Sequence, residues 1–306
     1  MANYYGNSIT VYSRTASGST VPRRTIRTGV ITPLAVLLDP LHGEVYVANA
    51  TNGSARIGSV QVYDWFANYP QDTPKRTIAG PDTGLVASEG LALDLLRNEL
   101  FVANDDAATI TVYPRTANGD VSPTRVIAGP NTSLDGPLSV TLDLIHDELI
   151  VINKVNYQGN AGLITVYPRS ANGNVAPIRT IGGSLSTFNL PVHMDLDLLH
   201  NEIIVANAFS NDVLVFNRTD SGNVAPKRTL GGPNTDLCMP FAVISDIVND
   251  ELVVANGGFN PGCEESITVY SRAAASNTAP KRLLDFGPSG GPPNPAAIAQ
   301  TILSLN

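Results

Sequence analysis

The chain is poor in the residues on which most protein chemistry is built. Its 306 residues include two cysteines, four histidines, three methionines and one tryptophan. Two cysteines cannot make the multi-bridge framework of a small disulfide-dense fold, and no Cys/His spacing matches a zinc site. No phosphate-binding glycine loop, serine-centred triad motif or haem-attachment Cys-x-x-Cys-His is present. Cations are also scarce. With 19 Lys and Arg against 27 Asp and Glu, the net charge is −8, which argues against a nucleic-acid partner because no basic face can displace counterions. No apolar run approaches the ~20 residues of a membrane-spanning helix. Met1-Ala2-Asn3-Tyr4 has neither the basic nor the apolar region of a signal peptide. Long stripes of 3.6-residue period are missing as well, since Gly or Pro interrupts every stretch, and helices are therefore not expected.

What the chain does have is repetition. Ser8-Ile9-Thr10-Val11-Tyr12 returns as Ser59-Val60-Gln61-Val62-Tyr63, and then as runs ending at Tyr113, Tyr167, Phe216 and Tyr270, at intervals of 51, 50, 54, 49 and 54 residues. A period near fifty filled with short β-branched runs and Gly/Pro/Asn turns predicts a β-propeller. Each repeat reads as four strands. In the fourth these are Pro191 to Asp197 innermost, Glu202 to Asn207, Val213 to Phe216 and a short run around Arg228. The interval from the Asp closing strand one to the Asn closing strand two is ten residues in five repeats (Asp39 to Asn49, Asp94 to Asn104, Asp143 to Asn153, Asp197 to Asn207, Asp246 to Asn256). An invariant hairpin implies a fixed register, because a slip of one residue would exchange its buried and exposed faces. Met1-Ala2-Asn3 aligns with the end of a second strand and Pro295 to Thr301 with an innermost strand. The expectation is therefore one all-β domain over 1–306, a six-bladed β-propeller of four-stranded blades whose N- and C-terminal strands share the sixth blade. Such closure removes an open sheet edge.

Leu91-Ala92-Leu93-Asp94 followed by Glu99-Leu100-Phe101-Val102-Ala103-Asn104 resembles the core of the NHL and YVTN-type propeller repeats. The resemblance runs the length of the chain, although the hairpin at Arg169 to Pro177 departs from the compact NHL repeat. It implies a propeller and leaves function open, because the fold serves both binding modules and sugar-lactone hydrolases.

Repetition also sorts residues. The periodic Asp set is expected to accept N–H bonds in its own turn, and the periodic Asn set (Asn3, Asn49, Asn104, Asn153, Asn207 and Asn256) to tie down the loop that follows it. Periodic Arg24, Arg76, Arg125, Arg179, Arg228 and Arg282 are expected to pair from blade to blade with Glu44, Glu99, Glu148, Glu202 and Glu251. Departures from the pattern are the candidates for function. The interval from the strand-two Asn to the anchor aromatic alternates 9, 14, 9, 14, 9, 14, so every second blade carries a longer loop. Two of these long loops contain Tyr157, Gln158, Phe259 and Asn260, and loops on a rigid scaffold are where recognition concentrates. Cys238 and Cys263 fall on one rim of blade five, where a disulfide is geometrically reasonable and would point to an oxidising, extracytoplasmic or secreted setting. Along the innermost strands, small residues give way in blade four to His193 and Asp195 and in blade three to Ser139 and Thr141, while Glu89 breaks an apolar position in blade two. A channel-facing His and carboxylate could hold a divalent cation or act as a general base, or could bond each other or channel water. No other cofactor is indicated. The reading favoured by these residues is a non-catalytic propeller that binds a protein or glycan through loops on one rim. Alternatives are a metal-dependent hydrolase resembling lactonase propellers, using Glu89, His193 and Asp195, and a structural module of a larger extracellular assembly.

Overall fold

The computed structural model describes residues 1–50, 57–154, 162–257 and 263–286, together with the backbone strand Pro295–Ala297. The strands form six antiparallel sheets of four. Blades one to five begin at Pro33, Ser88, Pro137, Pro191 and Pro240, and each follows chain order from the axis outward. Blade six is assembled from Pro295–Ala297, Ala2–Asn3, Ser8–Val11 and Arg24–Ile26. No α-helix occurs among the described residues.

The hairpin between strands one and two shows how local chemistry sets the register. Asp39, Asp94, Asp143, Asp197 and Asp246 each accept the N–H three residues ahead at 2.9–3.0 Å, closing the turn. The last turn residue adopts a left-handed backbone in all five, and it is Gly43, Asn98, Asp147, Asn201 or Asp250. These are the residue types that tolerate this conformation. Strand two then begins at Glu, paired with that Asp. The strand-two Asn reaches across its rim: Asn49, Asn104, Asn153, Asn207 and Asn256 accept N–H bonds at 2.6–3.3 Å from the loop ahead of the innermost strand. Their amide nitrogens donate to the residue that closes the loop that follows, Ser59, Thr109, Leu163, Asp212 or Ser266, at 2.8–3.4 Å, so each Asn ties down the loop after its strand as well as the one before the blade.

Apolar residues on both faces of each sheet form the core between adjacent blades. The anchor aromatics Tyr63, Tyr113, Tyr167, Phe216 and Tyr270 are fully buried. Outer strands are linked as well, through parallel bridges such as Ile78–Gly119, Ile127–Gly173 and Leu284–Gly18.

The ion pairs differ from the sequence expectation. Five outer-strand arginines, Arg76, Arg125, Arg179, Arg228 and Arg282, pair within their own blades, as in Arg76 with Glu44 (two bonds of 2.8 Å) and Arg282 with Glu251 (2.6 and 2.7 Å), whereas Arg24 bonds the Trp65 carbonyl. The links between blades come from a second set at the end of strand three. Arg115, Arg169, Arg218, Arg272 and Arg14 reach back to Glu44, Glu99, Glu148, Glu202 and Glu251 of the preceding blade at 2.8–3.3 Å. Each Glu therefore joins one guanidinium of its own blade to one from the next.

Candidate functional site

The innermost strands are sheet edges turned toward the axis, so part of their backbone N–H groups has no strand partner. Five of these strands carry an irregularity between their first and third residues. Beyond it, the third-position side chain lies against the innermost strand of the next blade. Gly90 shows how close this approach is: a Cβ there would stand 2.9 Å from the Leu138 carbonyl oxygen and 3.0 Å from the Ser139 Cα. Small residues are needed at such a contact. Polar ones cap the free edge. Ser139 Oγ accepts from the Met194 N–H at 3.4 Å, and His193 Nδ1 accepts from the Val243 N–H at 3.4 Å. Asp195 Oδ2 accepts from both the N–H (2.7 Å) and the hydroxyl (2.5 Å) of Ser245.

His193 and Asp195 thus direct their hydrogen bonds at blade five instead of at each other. Desolvation lowers the His193 pKa to about 4, with the Val243 contact opposing it, and raises that of Asp195, with its Ser245 bonds opposing. Both keep some accessible surface, as does Thr141 on the blade-three strand. At neutral pH His193 is an uncharged acceptor whose Nδ1 is occupied. Among the described residues no group of three or more His, Cys, Asp or Glu is arranged to hold a metal ion.

Glu89 is the residue at the strand irregularity itself, where an extra residue re-aims its side chain. Leu34, Leu138, Val192 and Phe241 hold this place in the other blades. The Glu89 carboxyl is hydrogen-bonded to Asp105, which follows strand two of its own blade, and Asp105 is ion-paired with Lys154 of blade three. Asp106 adds further negative charge. Burial, and after it the Asp105 charge, push the Glu89 pKa well above the ordinary range, with Lys154 opposing. Among the described residues no hydrogen bond or ion pair joins Glu89 to His193 or Asp195, so the sequence candidates divide into an axial set and a rim set.

A consequence is testable. A carboxyl whose folded pKa exceeds its unfolded one favours the fold below the unfolded value and loses that advantage as pH rises. Glu89→Gln keeps a donor for Asp105 and removes the titration. Its melting temperature relative to wild type should therefore climb between pH 5 and 8, by on the order of 2–4 °C for each kcal/mol recovered. A difference that is constant with pH would show that Glu89 is not a displaced titrating group.

The same rim carries the disulfide. Cys238 and Cys263 are bonded, with Cα atoms 5.5 Å apart, joining the loop before the blade-five innermost strand to the segment before its third strand. Tyr157, Gln158, Phe259 and Asn260 lie outside the described residues.

The opposite rim has a feature that repetition concealed. The third residue of the strand one–two turn is Leu41, Leu96, Ile145, Leu199 and Val248 in successive blades, and these side chains are 64–83% exposed. Periodicity marked them as scaffold, yet side chains so exposed contribute little to a core. The sequence signal available was an aliphatic pair inside the turn in four blades, Leu95-Leu96, Leu144-Ile145, Leu198-Leu199 and Ile247-Val248, and Pro40-Leu41 in the first.

The chain matches no protein-family model and no curated protein. Among solved structures it is similar to a chain from the crystal structure of a nidogen/laminin complex, with a TM-score of 0.61 and 16% identity over 91% of this chain and 89% of that one. At that identity the likeness is one of fold, and it supports the six-bladed propeller.

Proposed function

We propose that the protein is a non-catalytic binding propeller of NHL/YVTN type that holds a protein or glycan on the rim carrying its long loops. The observation behind this reading is where the non-repeating features gather. Periodic Asp, Arg and Glu residues are consumed in closing turns and joining blades. The Glu89–Asp105–Lys154 cluster and the Cys238–Cys263 bond, each present once, share the long-loop rim. That the similar solved chain comes from a protein–protein complex is in keeping with this role. The disulfide is in keeping with an extracytoplasmic setting. The hydrolase alternative is less well supported, because His193 and Asp195 already serve as caps for the blade-five edge. The exposed aliphatic ring favours a second reading, a protein partner on the turn rim.

Binding arrays of glycans and displayed proteins test both. Ligands retained by wild type should be lost in Tyr157→Ala and Phe259→Ala at unchanged melting temperature, and kept by Leu96→Ser with Leu199→Ser. The reverse pattern would move the site to the turn rim. A divalent cation that stabilises wild type by about 2.7 kcal/mol at 100 times its Kd, but not His193→Ala, would overturn the non-catalytic reading in favour of the axial metal.

A further inference from the structure

The repeat is also broken on the outer wall, at the seam between blades six and one. In the other blades the loop from strand three to strand four opens with an arginine. Thr, Ser or Ala follows it, and Gly or Ser holds the fifth place, as in Arg14 to Gly18, Arg115 to Gly119 and Arg272 to Ser276. Blade one has Trp65, Phe66 and Tyr69 at these three places. Phe66 is 79% and Tyr69 57% exposed, so neither ring serves the core.

The facing strand of blade six departs as well. Arg27 stands where the other outer strands have Ala79, Ala128, Gly182, Gly231 or Asp285. The Arg24 guanidinium lies 5.9 Å from the Phe66 ring centroid, and that of Arg27 lies 5.8 Å from the Tyr69 centroid. Both are cation–π distances. Residues 24 and 27 are about 10 Å apart along an extended chain, a spacing on the scale of a disaccharide.

These arginines are also the cations that the ion-pair network leaves over. In a chain of net charge −8, every other described Lys and Arg except Lys281 is in an ion pair. Arg23, Arg24 and Arg27 are in none among the described residues. Every Asp and Glu of the sequence lies within the described residues, so no other acidic side chain of the chain is left to pair with them. Arg23 and Arg27 are exposed. Of the nearby acids, Asp64 acts on Arg24 by its charge. Asp72 is buried and accepts the N–H groups of Arg27 and Thr28.

The backbone at this seam is already used. Thr25 donates its N–H to Asn68 Oδ1 at 3.0 Å and accepts the Tyr69 N–H at 2.8 Å. A peptide adding as a strand finds no free edge at Thr25, and recognition falls to the rings and the guanidinium groups.

We propose that this face binds an acidic polysaccharide, a glycan containing uronic acids. Its sugar rings stack their C–H faces on Phe66 and Tyr69. Its carboxylates take the guanidinium groups of Arg23 and Arg27, whose planar fork of N–H donors matches a carboxylate. The site is separate from the long loops and does not depend on their binding a ligand.

The probes are fluorescently labelled tetrasaccharides of polygalacturonate, hyaluronate and heparin, titrated into the full chain by anisotropy. Tyr69→Gly and Arg27→Ala each install a residue that other blades carry at that place, and both should leave the melting temperature unchanged. Saturable binding of at least one probe is expected. Arg27→Ala should weaken it about tenfold, as for loss of hydrogen bonds to a charged group, and Tyr69→Gly should weaken it as well. Methyl esterification of the probe's carboxylates should act as Arg27→Ala does. Binding of none of the three, binding indifferent to esterification, or equal binding of an oligo-aspartate of matched charge overturns the proposal. So does binding lost in Tyr157→Ala and kept in Tyr69→Gly, which would place the glycan on the long loops instead.

Discussion

Glu44→Ala should destabilise the protein by about 3–5 kcal/mol, the cost of removing one member of a buried charge network. Glu44 accepts two bonds from Arg76, one from Arg115 and one from the Tyr46 hydroxyl, all at 2.8–2.9 Å. Its side chain is 6% exposed, with Arg76 at 17% and Arg115 at 9%. Alanine would leave two guanidinium groups facing each other across a blade seam with little access to water. The Arg76 hydrogen bonds, aided by the Tyr46 bond and by nearby positive charge, hold the Glu44 carboxyl at about 2 against the desolvation that opposes them. Its contribution is therefore complete above the unfolded pKa of about 4.5 and is lost as pH falls toward 2. Urea unfolding at pH 7 and pH 3 reads this directly, the gap between wild type and variant narrowing at the lower pH. A double-mutant cycle with Arg115→Ala should give a coupling of ~0.5–3 kcal/mol, as for residues sharing one network. A coupling near zero would mean that the seam is held by apolar contact alone.

Phe216→Ala should cost about 3–5 kcal/mol for a different reason, the loss of a buried ring and the void it leaves. Phe216 is fully buried between blades three and four, its ring 5.3 Å from that of Phe188. In blades one, two, three and five the anchor is a tyrosine whose hydroxyl donates to the carbonyl of Thr28, Thr83, Thr132 or Thr235. Blade four has exchanged that bond for a second aromatic, Phe188 standing where Leu85, Leu134 and Leu237 stand elsewhere. The seam consequently depends on packing, and unfolding of Phe216→Ala should show a lowered midpoint with little dependence on pH. A loss below about 1 kcal/mol would show that the seam collapses to fill the space.

The blade count, the four-strand order and the hairpin register were legible because they are local. A period-two apolar run, a turn Asp and a left-handed Gly, Asn or Asp lie within ten residues of one another, and their spacing is the structure. Legibility stopped at the seams. The outer-strand arginines from Arg76 to Arg282 proved to pair inside the blade, and the cross-blade partners of Glu44 and Glu99 stand 71 and 70 residues away at Arg115 and Arg169. Nothing in the spacing distinguishes two periodic arginine sets until the blades are set side by side. His193 and Asp195 show the same limit: two apart on a strand, they read as a pair facing a channel, whereas their acceptors meet the backbone of the next blade.

By itself, then, the sequence determined the repeating unit, the number of units and the residues that depart from the repeat. The tertiary structure decided what those departures touch. It turned Glu89 toward Asp105 at a strand irregularity, left a ring of aliphatic turn residues in solvent and set Phe66 and Tyr69 beside Arg24 and Arg27. The physical reason is that register follows from hydrogen bonds between neighbours in the chain. Burial and charge pairing arise where strands about fifty residues apart approach one another, and that approach exists only once the blades have closed around the axis.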